Sequence, residues 1–228
     1  MSKIKIAGTN EEMKVQNVYC IGKNYLEHIK EFDKSDVKSE VPGEPIIFLK
    51  PNTAVEFDAK SVAIPRFKGK KISDDLQNEV ELVIVMGKDG KNIVQEQAFD
   101  YILGYSVGID FTLRDVQSEF KKKGLPWALS KGFIGSAPVS KVILKSGNYD
   151  AGNLKIKLTV NNVIKQDSNT REMIFNIPYL VHYISSIFGL KKGDLIFTGT
   201  PAGVTKLKPG DKVKAEIESI GELNILVE

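Results

Sequence analysis

Short apolar runs, alternating or continuous and each bounded by Gly, Pro, Asn or Asp, dominate the chain. They predict strands over Val15 to Ile21, Pro45 to Leu49, Ser61 to Ile64, Glu79 to Met86, Ile102 to Asp110, Leu154 to Val160, Val163 to Gln166, Asp194 to Phe197 and Lys212 to Ile217. Asn161-Asn162 separates two of these runs. Asparagine tolerates the positive φ of a tight turn, so residues 154 to 166 read as a hairpin. Met1 to Gly8 alternates Lys and Ile and reads as an edge strand; it has no apolar h-region and no small-residue cleavage site, so no secretory signal is expected. Three helices are predicted. Asn24 to Glu31 is short and polar. Thr112 to Lys123 opens on a capping pattern of Thr112 and Asp115, ends with Lys121, Lys122 and Lys123 at the negative end of the dipole, and stops at Gly124. Ile177 to Phe188 sets Leu180, Val181, Ile184, Ile187 and Phe188 on one stripe and stops at Gly189, the pattern of a core-packing helix. Many strands, few short helices and no regular alternation between them argue against a doubly wound sheet or a TIM barrel. The expectation is a mixed α/β, β-rich sandwich or roll. No repeat, low-complexity tract or flexible linker divides residues 1–228, which are read as a single domain.

Composition narrows the function classes. With 42% hydrophobic residues among 228, the chain can bury a sizeable core, which excludes disorder. The balance of 32 Lys plus Arg against 29 Asp plus Glu leaves a formal charge of +3, no general footprint for nucleic acid. No apolar stretch approaches the roughly 20 residues of a membrane helix. Cys20 has no cysteine partner for a disulfide or a thiolate metal site, which suits a reducing compartment and makes the cytoplasm the expected location.

Glu79-Val80-Glu81 opens the apolar run Leu82 to Met86. Side chains alternate along a strand, so Glu79 and Glu81 share a face, and in a buried strand two such carboxylates repel unless a cation joins them. An exposed, solvated strand mouth is the competing and commoner reading of a lone Glu-x-Glu. Gly104 to Asp110 is a strand of small residues ending in an acid; Asp110 is either a third oxygen ligand or a plain helix cap. Three carboxylates without Cys or His favour a hard cation such as Mg²⁺ or Mn²⁺. His28 and Glu31 lie three apart on the first helix, where the carboxylate can orient the imidazole as a water-activating pair; a surface histidine beside a surface charge is the alternative. Lys131 sits in an apolar, glycine-containing stretch, as a cationic stabiliser or a lysine snorkelling to solvent. Thr198 to Gly203 is a tight polar loop offering hydroxyls and N–H groups to an anion. Lys121 to Lys123 read as a solvated helix end, and His182 is given no chemical role.

In order along the chain, Tyr19-Cys20-Ile21-Gly22-Lys23-Asn24-Tyr25 with His28 and Glu31, Pro45 to Pro51, Asn78-Glu79-Val80-Glu81-Leu82, Asp110 to Gln117, Lys121 to Trp127 and Thr198 to Val204 form a set of blocks. This set resembles the fumarylacetoacetate hydrolase family, near its short acylpyruvase and oxaloacetate decarboxylase branch. The resemblance implies a mixed β-sandwich roll, usually a homodimer, with Mg²⁺ or Mn²⁺ held at Glu79, Glu81 and Asp110. It implies a lid at about residues 24–40 that delivers His28 and Glu31, and a substrate pocket lined by Lys131, Gln117, Arg114 and Thr200. Where the branch usually has Gly-Arg-Asn-Tyr, this chain has Lys23, which keeps the charge but loses the bidentate fork for a substrate carboxylate. The implied substrates are small 2-oxo acids, and the implied reaction is hydrolysis of acylpyruvates to pyruvate and a carboxylic acid, with oxaloacetate decarboxylation at the same site. The alternatives are an isomerase or tautomerase acting on 2-hydroxy-dienoate or oxaloacetate-type acids, and a metal-bound domain without activity.

Overall fold

Val80–Met86 is buried at every position, on both faces, because it lies between two apolar layers. In the computed structural model, which describes residues 2–31, 40–145 and 148–228, this strand pairs antiparallel with Ile102–Ile109 on one side and Leu195–Phe197 on the other. The eight-stranded sheet runs Ile46–Lys50, Val18–Gly22, Leu195–Phe197, Val80–Met86, Ile102–Ile109, Ala137–Val139, Val55–Phe57, with Ile143–Leu144 attached to Ile102–Ile109. Two of its pairings are parallel, Leu195–Phe197 with Val18–Gly22 and Ala137–Val139 with Val55–Phe57. A second sheet runs Val163–Asn169, Lys155–Val160, Lys212–Ile217, Gly221–Val227, Ser61–Val62. Ile156, Leu158, Ala215, Leu223 and Ile225 from this sheet share one core with Leu82, Ile84, Val107 and Ile109 of the first. The opposite face of the first sheet, with Val83, Val85, Phe197 and Cys20, is closed by Ile4 and Met13 from the amino-terminal hairpin of Lys3–Lys5 and Glu12–Lys14. Strands packed on strands, with a few short helices at the margins, are the expected mixed, β-rich architecture.

The predicted hairpin forms: Asn161 and Asn162 have φ of 50° and 65°, and Val160 pairs with Val163. Ile177–Ile187 is capped by Asn176, whose side chain accepts from Tyr179 N at 3.0 Å, and it buries Ile177, Leu180, Val181 and Ile184. Its core stripe is one turn shorter than expected, since Ile187 and Phe188 are exposed. A larger correction concerns the second helix, which begins at Arg114 with no side-chain cap. Thr112 belongs instead to a short strand paired with Leu76–Gln77, and the Asp115 carboxylate accepts from Ser73 Oγ and Asp74 N. Tertiary partners took both groups from the local capping box. Gly124, in the left-handed region at φ 65°, ends this helix as expected. Ala137–Val139 is a strand outside the predicted set; its Pro138 is tolerated in a short parallel pairing near the sheet margin. Of the expected lid at 24–40, residues 32–39 lie outside the described residues.

Small residues on Ile102–Ile109 permit close approach, as predicted. A Cβ on Gly104 would lie 2.1 Å from the Ile143 carbonyl oxygen, and the obstacle is backbone, which cannot rotate away. Gly104→Ala is therefore expected to lower stability by about 3 kcal/mol, as overpacking against main chain does. Urea unfolding measures this, and an unchanged midpoint would refute the packing argument.

Candidate active site

Glu79 immediately precedes Val80–Met86, Glu81 lies within it opposite Gly108, and Asp110 follows Ile102–Ile109. Asp110 N donates to Glu79 O at 2.8 Å, so the antiparallel ladder extends to the ends of both strands and brings the three acids together. Each offers a carboxylate oxygen within 4.8 Å of the others, and all three are buried. The solvated strand mouth and the simple helix cap are both excluded.

Their charges are unequally matched. Lys131 Nζ donates to Glu79 Oε2 at 2.7 Å, Asp110 Oδ2 at 2.6 Å and Thr112 Oγ1 at 2.6 Å, and the residue is buried rather than snorkelling. Arg114 pairs with the other oxygen of Glu79. Burial alone would raise the Glu79 carboxyl, but the charges of Lys131, Arg114 and His28 outweigh it and hold the group well below the usual carboxylate range. Burial would likewise lower the Lys131 ammonium; Asp110 and Glu79 more than offset this and it is raised. Glu81 differs. Among the described residues no lysine or arginine forms an ion pair with it, and its one hydrogen bond is from Gly199 N to Oε2 at 2.7 Å. Burial, followed by repulsion from Asp110 and Glu79, pushes it well above the usual range. Asp110 Oδ1 is also buried without a hydrogen bond, although Lys50 Nζ approaches to 2.7 Å. An all-oxygen trio in which one buried carboxylate has no cationic partner fits a hard divalent cation. Glu79, Glu81 and Asp110 are the residues that could hold it.

A cavity of about 240 Å³ opens beside the trio, lined by Lys23, His28, Glu79, Glu81, Arg114, Gln117, Lys121, Lys131 and Thr200 together with Phe48, Trp127 and others. The structure thus brings eight of the ten expected site residues to one cavity wall; Asp110 lies behind that wall beside Glu79 and Glu81, and Glu31 stands behind His28. His28 is buried on helix Leu26–Glu31, with Nδ1 3.3 Å from Glu31 Oε2, while Glu31 Oε1 accepts from Gly203 N at 3.1 Å. Gln117 accepts from Arg114 Nη1 at 2.6 Å. Thr200 Oγ1 donates to Val80 O at 2.8 Å, which commits its proton to the backbone. The Thr198–Gly203 loop spends part of the anion-binding capacity the sequence predicts on the protein itself. Its Gly199 and Gly203 N–H groups serve the protein's own carboxylates, Glu81 and Glu31, and the Thr198 hydroxyl donates to Leu82 O.

Three contributors were missed. Lys50, quoted only as part of a block, is buried and donates to the Phe111 and Ser136 carbonyls and to Ser136 Oγ besides pairing with Asp110, so it fixes the wall behind the trio. Asn24 is fully buried; its side chain donates to Phe175 O and Thr198 O and accepts from Phe175 N, pinning the start of the His28 segment. Lysine and asparagine in a strand-to-helix stretch carry no burial signal, so only the Pro-flanked apolar run before Lys50 hinted at it. Lys121 lies at the cavity rather than simply in solvent, with Nζ 4.8 Å from the Trp127 ring centroid. Among the described residues no helix is long and apolar enough to cross a membrane.

Comparison with known proteins agrees with this geometry. Residues 17–228 match the family model described as fumarylacetoacetate (FAA) hydrolase C-terminal. The mitochondrial oxaloacetate tautomerase of Bos taurus is 41% identical over 213 residues, covering 93% of this chain and 92% of that one. The mitochondrial oxaloacetate decarboxylase of Dictyostelium discoideum is 41% identical over 206 residues, covering 90% of each. The crystal structure of fumarylpyruvate hydrolase from Pseudomonas aeruginosa in complex with Mn²⁺ and pyruvate superposes with a TM-score of 0.89 at 32% identity, covering 99% of this chain and 95% of that one.

Saturating Mg²⁺ or Mn²⁺ at about 100 times its dissociation constant is expected to stabilise the protein by about 2.7 kcal/mol, a rise of roughly 5–10 °C in Tm. Glu81→Gln keeps the acceptor for Gly199 N and removes the unmatched charge. Its metal-free Tm is expected to equal or exceed that of the wild type, with the metal-dependent rise lost; a variant that retains the full rise removes Glu81 from the binding set.

Proposed function

We infer that this chain, which belongs to the fumarylacetoacetate hydrolase family, is a divalent-metal-dependent hydrolase of 2,4-diketo acids, cleaving acylpyruvates to pyruvate and a carboxylic acid. The observation that carries this reading is one cavity lined by Glu79 and Glu81 of the buried trio and by His28 of the His28–Glu31 pair. Mg²⁺ is the proposed resident ion, with Mn²⁺ as substitute; bound by the trio, it supplies Lewis acidity toward the oxygens of a 2-oxo acid.

With its proton on Nδ1 and donated to Glu31, His28 carries the basic lone pair on Nε2. It takes a proton from water as the oxygen attacks the distal acyl carbonyl. The bond between that carbonyl carbon and the neighbouring methylene breaks, its electron pair stays with the pyruvate half, and the proton on His28 is returned to the methylene. Lys131 faces the negative charge that builds during cleavage, and Gln117 and Arg114 orient the acid. Lys23 and Thr200 complete the substrate wall. Residues 1–228 act as one catalytic unit in which the 24–40 segment brings the His28–Glu31 pair over the substrate. The proposed setting is a cytoplasmic homodimer, consistent with the buried, unpaired Cys20 and with the resemblance.

A second reading, turnover of oxaloacetate by decarboxylation or tautomerisation in the same cavity, is favoured by relatives of those activities matched over nine-tenths of both chains. Decarboxylation needs no activated water. His28→Ala is therefore expected to lower acylpyruvate kcat by about 10²–10⁴-fold while lowering oxaloacetate decarboxylation far less. Coupled assays for pyruvate measure both, and equal losses would sink the water-activating role. Chelator is expected to abolish both activities and added Mg²⁺ to restore them; full turnover in chelator would overturn the metal-dependent reading.

A further inference from the structure

Val163–Asn169, the outer strand of the second sheet, is exposed or half-buried at every position but one, and that position is polar: Gln166 is fully buried. A buried primary amide is costly unless its groups are paired, and here they are. Oε1 accepts from Val80 N and from Asn78 Nδ2, both at 3.0 Å, while Nε2 donates to Thr200 Oγ1 and to Pro201 O, both at 2.8 Å. A side-chain amide has two acceptor sites and two N–H groups, so these partners exhaust it. Its orientation is also fixed, because Val80 N can only donate and Pro201 O can only accept. The amide therefore clamps the two residues that flank Glu79 to the loop just after Gly199, the donor to Glu81. The approach is close: a Cβ on Gly203 of that loop would lie 3.1 Å from Gln166 Cα.

The fixed amide decides what Thr200 offers the cavity. Its Oγ1 receives an N–H from Gln166, so its own proton goes to Val80 O, at 2.8 Å. A hydroxyl has one proton and two lone pairs, which leaves Thr200 a single lone pair on a residue that lines the cavity. We propose that Gln166 is a positioning residue that holds Thr200 as an acceptor-only group, and that Thr200 thereby receives a hydrogen bond from the attacking water of acylpyruvate hydrolysis. This rests on the hydrolase reading above and deepens it. Keto and carboxylate oxygens of the acid are acceptors and are repelled by that lone pair. Water brings two protons, one bonded to Thr200 Oγ1 and one to His28 Nε2. As the water oxygen bonds to the distal acyl carbon, the proton facing His28 passes to the imidazole, and the one facing Thr200 stays on the oxygen and leaves with the carboxylic acid. The carbon–carbon electron pair stays with the pyruvate half, which takes the proton back from His28. Thr200 thus orients the water without exchanging a proton, and Gln166 acts only through Thr200.

The test is a double-mutant cycle on acetylpyruvate hydrolysis, with oxaloacetate decarboxylation as the comparison that needs no water. Gln166→Met removes the clamp at similar length, and Thr200→Val removes the hydroxyl at similar shape. Each is expected to lower the hydrolytic kcat about 10- to 100-fold, as misplacing a reacting group does, with KM and the Mg²⁺-dependent rise in Tm little changed. Decarboxylation should fall far less, and Thr200→Ser should keep most of the hydrolytic rate. Adding Gln166→Met to Thr200→Val should cost little more, because the first residue works through the second. Additive losses, or equal losses in the two reactions, would overturn the proposal; equal losses would assign Thr200 to an enol hydroxyl of the acid or to the frame of the site. A wild type that hydrolyses no acylpyruvate removes the hydrolase reading and the water with it, whereas a hydrolytic wild type whose variants show no such split removes the proposal alone. Should Gln166→Met fail to fold, the Thr200 variants carry the kinetic test and amide exchange carries the clamp. The Gln166 side-chain N–H protons should exchange slowly with deuterium and shift in Thr200→Val, and exchange at the rate of an exposed glutamine would refute the clamp.

Discussion

Three carboxylates held within 4.8 Å of one another in a buried site are the constraint around which the rest of the molecule is arranged. At that separation a pair of like charges repels by about 3 kcal/mol in a protein-like effective dielectric. The fold answers with cations drawn from distant parts of the chain: Lys131 between Glu79 and Asp110, Arg114 on Glu79, Lys50 behind Asp110. Glu81 alone is left to a backbone N–H, and burial with repulsion from Asp110 and Glu79 raises its carboxyl, the mismatch that the proposed divalent cation would relieve. The two central strands, held in register with neighbours on both sides, supply the rigidity that keeps the trio from spreading.

The same carboxylate chemistry organises the approach to the site. The Thr198–Gly203 loop looks suited to an anion, and its Gly199 and Gly203 N–H groups are donated to the protein's own Glu81 and Glu31, so one loop ties the acidic trio to the His28 helix. Gly203 permits this because a Cβ there would lie 1.8 Å from the Lys165 carbonyl oxygen, at a φ of 104°. Asn24 fastens the other side of that segment to Phe175 and Thr198. Side chains make up much of the remaining cavity wall, Arg114, Gln117, Lys23 and Lys121 among them.

The central strands were legible because continuous and alternating apolar runs have one economical reading, and Val80–Met86 and Ile102–Ile109 differ from expectation by one residue each, at the end next to Glu79 and Asp110. Gly221–Val227 alternates as cleanly through Leu223, Ile225 and Val227 and was equally available to the same reasoning. The capping box of Thr112 and Asp115 failed for a different reason. Both groups found better partners across the fold, Lys131 for one and the Ser73–Asp74 turn for the other, and a local pattern cannot anticipate competitors 19 to 42 residues away. Lys121 was misread similarly: in sequence it belongs to a run of three lysines, and only the turn at Gly124 separates it from its solvated neighbours.

By itself, then, the order of residues determined which positions prefer strands, that Glu79 and Glu81 share a face, and, through a set of ordered blocks, which family the chain resembles. Those follow from local geometry, where side-chain alternation and turn chemistry act over a few residues. Burial decided the rest. Whether Glu-x-Glu is a wet strand mouth or a buried pair suited to a cation, whether His28 is a surface histidine or a buried one set against Glu31, and which of many lysines counter the trio all depend on desolvation and on partners up to 172 residues apart. Electrostatic interactions acquire their strength only where water is excluded, and the exclusion of water belongs to the packed sheets rather than to any segment of the chain.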